Sequence, residues 1–217
     1  MTIVAIDGPA GAGKSTVARM VATRIGVPFL DTGAMYRCVA LSILEKGIAV
    51  TDVESIAEVA RQVHITVTDS VVTLDGVDVS QRIREPEIGT VVSVIAALSP
   101  VRDALREQQQ AWIADHRGGV IEGRDIGTVV FPNADVKIFL TASPAERAAR
   151  RVGQNGGDLE RVAQEIQARD HIDSNREDSP LKPAPDSIHV DSTGLSIEEV
   201  VSSIVDIVHK KQSEHHG

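Results

Sequence analysis

Residues 8–15, Gly8-Pro9-Ala10-Gly11-Ala12-Gly13-Lys14-Ser15, fill the pattern G-x-x-x-x-G-K-[ST], and Thr16 follows. Glycines at these positions let a backbone curl so that successive N–H groups converge on a phosphate. The N-terminus of a following helix adds partial positive charge. An ammonium at Lys14 can reach the outer phosphates of a nucleoside triphosphate, and the Ser15 hydroxyl is placed to ligate Mg²⁺. The alternative is an ordinary glycine-rich turn. Against it stand the flanks: Ile3 to Ile6 is a β-branched apolar run suited to a buried strand, and Lys14 to Ile25 is a helix-forming run. Strand, glycine loop and helix form the context such a loop needs.

Three further clusters carry side chains able to do chemistry: Asp31-Thr-Gly33, Glu122-Gly-Arg-Asp125 and Asp191-Ser-Thr-Gly194. Each follows a strand-like run, and strand ends are where open α/β sheets bind ligands. The first leads into Tyr36-Arg37, and the second holds the adjacent pair Arg124-Asp125. Arginine suits a second phosphate-bearing ligand, and a carboxylate suits an amino or hydroxyl group. A structural ion pair is the alternative for Arg124-Asp125, and a solvated helix residue is the alternative for Arg37. Arg147, Arg150 and Arg151, with Arg169 and Arg176, flank the glycine-rich segment 153–157. Cationic helices joined by such a loop read as a movable lid. Arg147 and Arg151 share a helix face with no opposite charge on it, so an anion from elsewhere is expected to offset them.

The elements that must hold these groups follow from periodicity and punctuation. Strands are expected at 27–30, 119–122, 136–141 and 187–191 besides the first, making a five-stranded, mainly parallel sheet. Helices are expected at 14–25, 34–46, about 51–63 from a capping box at Thr51–Glu54, about 85–97, then after a break at Ser99-Pro100 on to about 116, and at 144–153, 159–170 and 197–211. Between residues 64 and 79 the pattern changes to short β-prone runs around Asp75-Gly76, a small antiparallel meander outside the main sheet. The fold class is therefore α/β, doubly wound, with helices on both faces of the sheet.

Composition narrows the choices. A formal net charge of −9 over 217 residues argues against polymeric nucleic acid and anionic membranes as partners. Sixteen of the 22 basic residues are arginine, so an anionic ligand must be held by local clusters. The single Cys38 excludes an intrachain disulfide and reads as a buried structural thiol. With no leader pattern and no apolar run of 18 residues, a soluble cytoplasmic protein is expected. His215 and His216 read as a frayed tail or an appended remnant, not a metal site.

Taken together, Gly8–Thr16, Asp31-Thr-Gly-Ala-Met-Tyr-Arg37, Ser99-Pro-Val-Arg102, Glu122-Gly-Arg-Asp-Ile-Gly-Thr-Val-Val-Phe-Pro132, Lys137–Ala142 and Arg169-Asp170…Asp173…Arg176 closely resemble the bacterial cytidylate kinases. The resemblance covers essentially the whole chain. It implies a P-loop NTPase fold: core at 1–33, 96–146 and 179–217, a monophosphate-binding side domain at 34–95 with its β insertion at about 64–93, and a lid at 147–178. It implies MgATP-dependent phosphorylation of CMP and dCMP in pyrimidine salvage and recycling, by a monomer. Arg37, Arg124 and Arg176 resemble the residues that hold the CMP phosphate. Ser93, Arg102 and Asp125 resemble the cytosine readers, Arg169 and Asp173 the sugar contacts, and Thr32 stands where some members have Ser. Lys14, Arg124, Arg147, Arg151 and Arg176 are the implied catalytic cations. Ile172 and Ser174 occupy lid positions that are basic in some members, so the lid's charge rests more on Arg147, Arg150 and Arg151. The rivals are another small-molecule P-loop kinase, for shikimate or gluconate, and a GTPase switch. The second lacks the guanine-reading Asn-Lys-x-Asp anywhere in the sequence.

Overall fold

The computed structural model describes residues 2–68 and 70–214, with Asn155 described by its backbone alone. The His215-His216 pair lies outside these residues. By backbone proximity the chain forms two compact units, Met1–Phe29 with His116–Gly217, and Leu30–Asp115.

The first unit is built on strand β1 (Ile3–Asp7), whose buried side chains lie at the centre of a five-stranded sheet. The sheet order is β2 (Phe29–Asp31), β6 (Gly119–Gly123), β1, β7 (Val136–Thr141), β8 (Ile188–Asp191). β1 runs parallel to both β6 and β7, and β7 parallel to β8. Continuous apolar runs such as Val4-Ala5-Ile6 suit a sheet whose strands are fully buried. Helices α1 (Lys14–Ile25) and α8 (Ile197–Glu214) pack Val17, Val21, Val201 and Ile204 onto it. The Ser196–Glu199 capping box starts α8: the Ser196 hydroxyl accepts from the Glu199 N–H, and the Glu199 carboxylate accepts from the Ser196 N–H. Helices α6 (Pro144–Asn155) and α7 (Leu159–Asn175) pack together, and Ala148 and Ile166 form a small apolar cluster with Ala10 of the glycine loop. Ser143 caps α6 as its sequence suggests, through the Glu146 N–H.

The second unit holds α2 (Thr32–Glu45), α3 (Val53–Gln62), the meander β3 (Ile65–Val67), β4 (Val72–Leu74) and β5 (Val77–Asp78), then α4 (Pro86–Ile95) and α5 (Ser99–His116). The meander is antiparallel throughout, as the alternating pattern implies. Cys38 is wholly buried, and burial pushes its thiol up to about 12, so it packs as an inert apolar group.

Several boundaries differ from the sequence expectation, and four of them have an evident local reason. Helix α2 begins two residues early because Asp31 caps it, accepting from the Ala34 N–H at 2.9 Å. The cap of α3 is Asp52, bonded to the Ser55 N–H, rather than Thr51 with Glu54. Helix α6 continues through Gly153 and stops at Gly156, which takes a positive φ of 71°. Helix α7 runs five residues beyond Asp170, carrying Asp173 into the polar cluster described below. Among the described residues, no single helix is long and apolar enough to cross a membrane. No three His, Cys, Asp or Glu side chains among them gather as metal ligands.

Candidate active site

The glycine loop leaves the carboxyl end of the central strand and passes so close to β7 that a Cβ on Gly8 would lie 2.0 Å from the Leu140 carbonyl oxygen. Gly11 makes the second close approach: a Cβ there would lie 3.1 Å from the Arg147 Cβ. Both polar groups of the Ala10 residue are held from the helices above. Its N–H donates to the Asp170 carboxylate at 2.9 Å, and its carbonyl accepts from the Arg147 guanidinium at 2.9 Å. Arg147 also pairs with the second Asp170 oxygen. Arg150 donates to the Ala12 carbonyl at 3.2 Å, to the hydroxyl and carbonyl of Ser192 at 2.8 Å, and to Glu146. The anion expected opposite Arg147 is therefore Asp170, within the chain. Arg151, half-buried, is engaged by none of the described side chains.

Within the loop, the Lys14 ammonium donates to the Pro9 carbonyl at 2.8 Å and is only 7 % exposed. Burial, then the nearby Arg124 guanidinium, lowers its pKa to about 7, against the pull of Glu122 and Asp7 the other way. A buried ammonium beside arginines is stabilised by an incoming anion. Gly13, at the start of α1, supplies no side-chain cap, so the N–H groups of the first turn have no side-chain acceptor there. Ser15 and Thr16 are exposed on that turn. The donor set fits a polyphosphate, with the Ser15 hydroxyl available to a hard cation.

Beside the loop, the ends of β1 and β6 are in register, Asp7 opposite Gly123. Arg124 and Asp125 follow, and the alternative of a mutual ion pair is not what forms. Arg124 donates to Asp173 at 2.9 Å, while Asp125 faces Arg176 at 3.5 Å; both partners belong to α7 or its C-terminal cap. Arg176 also lies 3.6 Å from Asp173 and donates to the Ser179 carbonyl at 2.6 Å. Burial raises the Asp173 pKa, but Arg124, Arg169 and Arg176 outweigh it and hold the carboxyl below its usual range. Lys14, Arg124, Asp125, Arg169, Asp173 and Arg176 thus form one charged group in the first unit. After Asp125 the chain makes a π-helical turn, Ile126–Val130, of a kind often found at functional sites.

The second unit carries the remaining candidates. Thr32 is buried at the start of α2. Arg37 donates to the Ile83 carbonyl at 2.9 Å and is half-buried, so it is not a solvated helix residue. Arg102 is 3 % exposed, donates to the Ala96 carbonyl at 3.1 Å and lies 5.8 Å over the Tyr36 ring. The Ser93 hydroxyl donates to the Gly89 carbonyl at 3.3 Å.

Sequence reasoning missed two acids. Asp170 was visible only as a neighbour of Arg169, and nothing local marks its reach to Ala10. Asp7 did carry a signal, an acid closing an apolar buried strand immediately before the loop.

A glycine loop wrapped on a buried lysine at the carboxyl end of a parallel sheet defines a protein of the P-loop kinase fold. A solved gluconokinase from Sinorhizobium meliloti shares that fold, with a TM-score of 0.53 at 14 % identity over 99 % of this chain and 95 % of its own. The chain belongs to the cytidylate kinase family, whose sequence profile it matches over residues 4–210. It is 49 % identical to a cytidylate kinase of Desulfitobacterium hafniense, over 96 % of this chain and 93 % of that one. It is 50 % identical to a bifunctional pantoate ligase/cytidylate kinase of Trichormus variabilis over 98 % of its length, and spans 42 % of that longer relative.

Proposed function

We propose that this protein transfers the γ-phosphoryl group of MgATP to CMP and dCMP, giving CDP and dCDP. Supporting this most directly is the single charged group in which the loop lysine Lys14 stands with Arg124, Asp125 and Arg176. The acceptor is itself a phosphate with a second pKa of about 6, so a strong general base is not needed. Charge neutralisation and alignment must do the work. Lys14 and the loop N–H groups would bind the donor phosphates. Mg²⁺, held through Ser15, would neutralise charge on the phosphate oxygens. Arg124 and Arg176 would bind the acceptor phosphate against the repulsion between two anions, a role that the family resemblance extends to Arg37. Asp125, Ser93 and Arg102 would read the cytosine, with Thr32 as a further substrate contact, and Arg169 and Asp173 would hold the sugar.

Residues 147–178 would act as the lid, excluding water that would otherwise hydrolyse ATP. Of its arginines, Arg151 has the fewest prior engagements and would meet the transferring group. Residues 34–95 would form the monophosphate-binding domain. We extend the reading to a monomer acting on free nucleotides in the cytoplasm. An acceptor screen with MgATP tests it: CMP and dCMP should turn over well, UMP and AMP poorly, shikimate and gluconate not at all. Equal turnover of a sugar acid, or GTP hydrolysis without any acceptor, would replace it with one of the rivals.

A further inference from the structure

We infer that Asp7 is a positioning residue for the acceptor side of the site, holding the turn that presents Arg124 and Asp125. The inference rests on the assignment of those two residues to CMP. Both Asp7 oxygens are committed: Oδ1 accepts from the Ile126 N–H at 2.8 Å and Oδ2 from the Gly127 N–H at 2.7 Å. These are the first two amides after Arg124-Asp125, at the mouth of the π-helical turn. Asp7 is 5 % exposed and directly precedes Gly8, so one carboxylate joins the donor loop to the acceptor-side turn.

The turn is also packed from the other side. A Cβ on Gly127 would lie 3.2 Å from the Cγ and Cδ of Lys137 and 3.4 Å from Asp7 Oδ2. Lys137 is fixed in turn by Asp186 at 2.8 Å and by the Pro132 carbonyl. A Cβ between them would be tight, so Lys137 or the turn would have to give by a few tenths of an ångström. The charged groups facing Asp7 are Asp125, from the turn, and Lys14, from the loop. Burial raises the Asp7 pKa to about 6, and the two backbone N–H groups resist that rise. Keeping a carboxylate there against its desolvation is expected where both acceptors are needed. An amide could accept only one of the two N–H groups and would point its own NH₂ at the other.

The test compares CMP with UMP by kcat/KM, a ratio in which titration of the two nucleotide phosphates cancels. Asp7→Asn should lower the CMP-over-UMP ratio on the order of ten-fold, since the misplaced Asp125 leaves a polar partner unpaired. In wild-type protein the ratio should fall as pH drops through about 6, and in Asp7→Asn it should be flat. Asp125→Ala serves as the reference. If Asp125→Ala abolishes the preference and Asp7→Asn leaves it intact, the inference is overturned. If Asp125→Ala leaves the preference unchanged, the base-reading assignment fails instead. KM for CMP in Asp7→Asn, which reports Arg124, then decides: a rise supports positioning and no rise overturns it. Should Asp7→Asn not fold, Gly127→Val sets a branched side chain against Lys137 and Asp7 to displace the same turn, and its ratio carries the same two outcomes.

Discussion

Replacing Arg147 with methionine separates two roles that the sequence leaves merged, a lid cation acting on phosphate and a clamp on the glycine loop. In the folded protein Arg147 bonds the Ala10 carbonyl and pairs with Asp170, whose other oxygen holds the Ala10 N–H. The two side chains are 10 % and 18 % exposed. Breaking one half of a well-buried pair costs about 3–5 kcal/mol, because the remaining charge is left uncompensated. The residual exposure of Asp170 places Arg147→Met near the lower end, about 3 kcal/mol. For a chain of this size that lowers Tm by roughly 6–12 °C. Asp170→Leu should cost a similar amount, and the double variant should be clearly more stable than the sum of the two losses, with a coupling of about 2 kcal/mol. Thermal and urea unfolding of the four proteins supply the cycle. A loosened Ala10 should also raise KM for ATP more than it lowers kcat. If Arg147→Met melts within 2 °C or so of wild type yet loses most of its kcat, the clamp is wrong and the guanidinium belongs on the transferring phosphate.

Other consequences are equally direct. Asp125→Ala should reduce kcat/KM for CMP more than for UMP, by about 5- to 150-fold in the ratio, the equivalent of a mispaired buried group at about 1–3 kcal/mol. Steady-state kinetics with both nucleotides checks it, and equal losses would remove Asp125 as the base reader. Lys14→Met should abolish phosphoryl transfer yet raise unfolding stability at pH 7 by on the order of 1–3 kcal/mol, because a desolvated ammonium is removed. A drop in Tm would show that the Lys14 bond to Pro9 outweighs its burial. The Asp7 pKa is raised from 3.8 to about 6, so the folded state binds the proton more tightly and this group's contribution to stability falls as pH rises between those values. Relative to Asp7→Asn, wild-type protein should lose on the order of 1 kcal/mol of unfolding free energy between pH 5 and pH 7, measurable by urea titration.

What could be read from sequence was whatever its own neighbours determine. The strand, loop and helix from Ile3 to Ile25 are local, as are the Ser143 and Ser196 caps, and the structure places them as expected. The antiparallel meander was legible from its change of period. The extension of α7 to Asn175 was not, since Asp173 finds its partner Arg124 49 residues away in sequence. Likewise the Arg124-Asp125 dipeptide looks like a pair in sequence, whereas adjacent residues in this turn point to separate partners on α7 and at its end. Asp170 reaches the loop across 160 residues, and Asp7 reaches its amides across 119 and 120. Such contacts depend on topology, which places the carboxyl ends of β1 and β6 side by side. Resemblance to a family could name Arg124 and Asp125 as functional, but only the folded chain reveals what holds them.

The central claim is direct transfer from MgATP to CMP, and the most direct measurement is the fate of labelled γ-phosphate. With [γ-³²P]ATP, Mg²⁺ and CMP, the label should appear in the β-position of CDP, one equivalent per ATP consumed, with little inorganic phosphate. Label released as inorganic phosphate at the same rate with and without CMP would contradict the account.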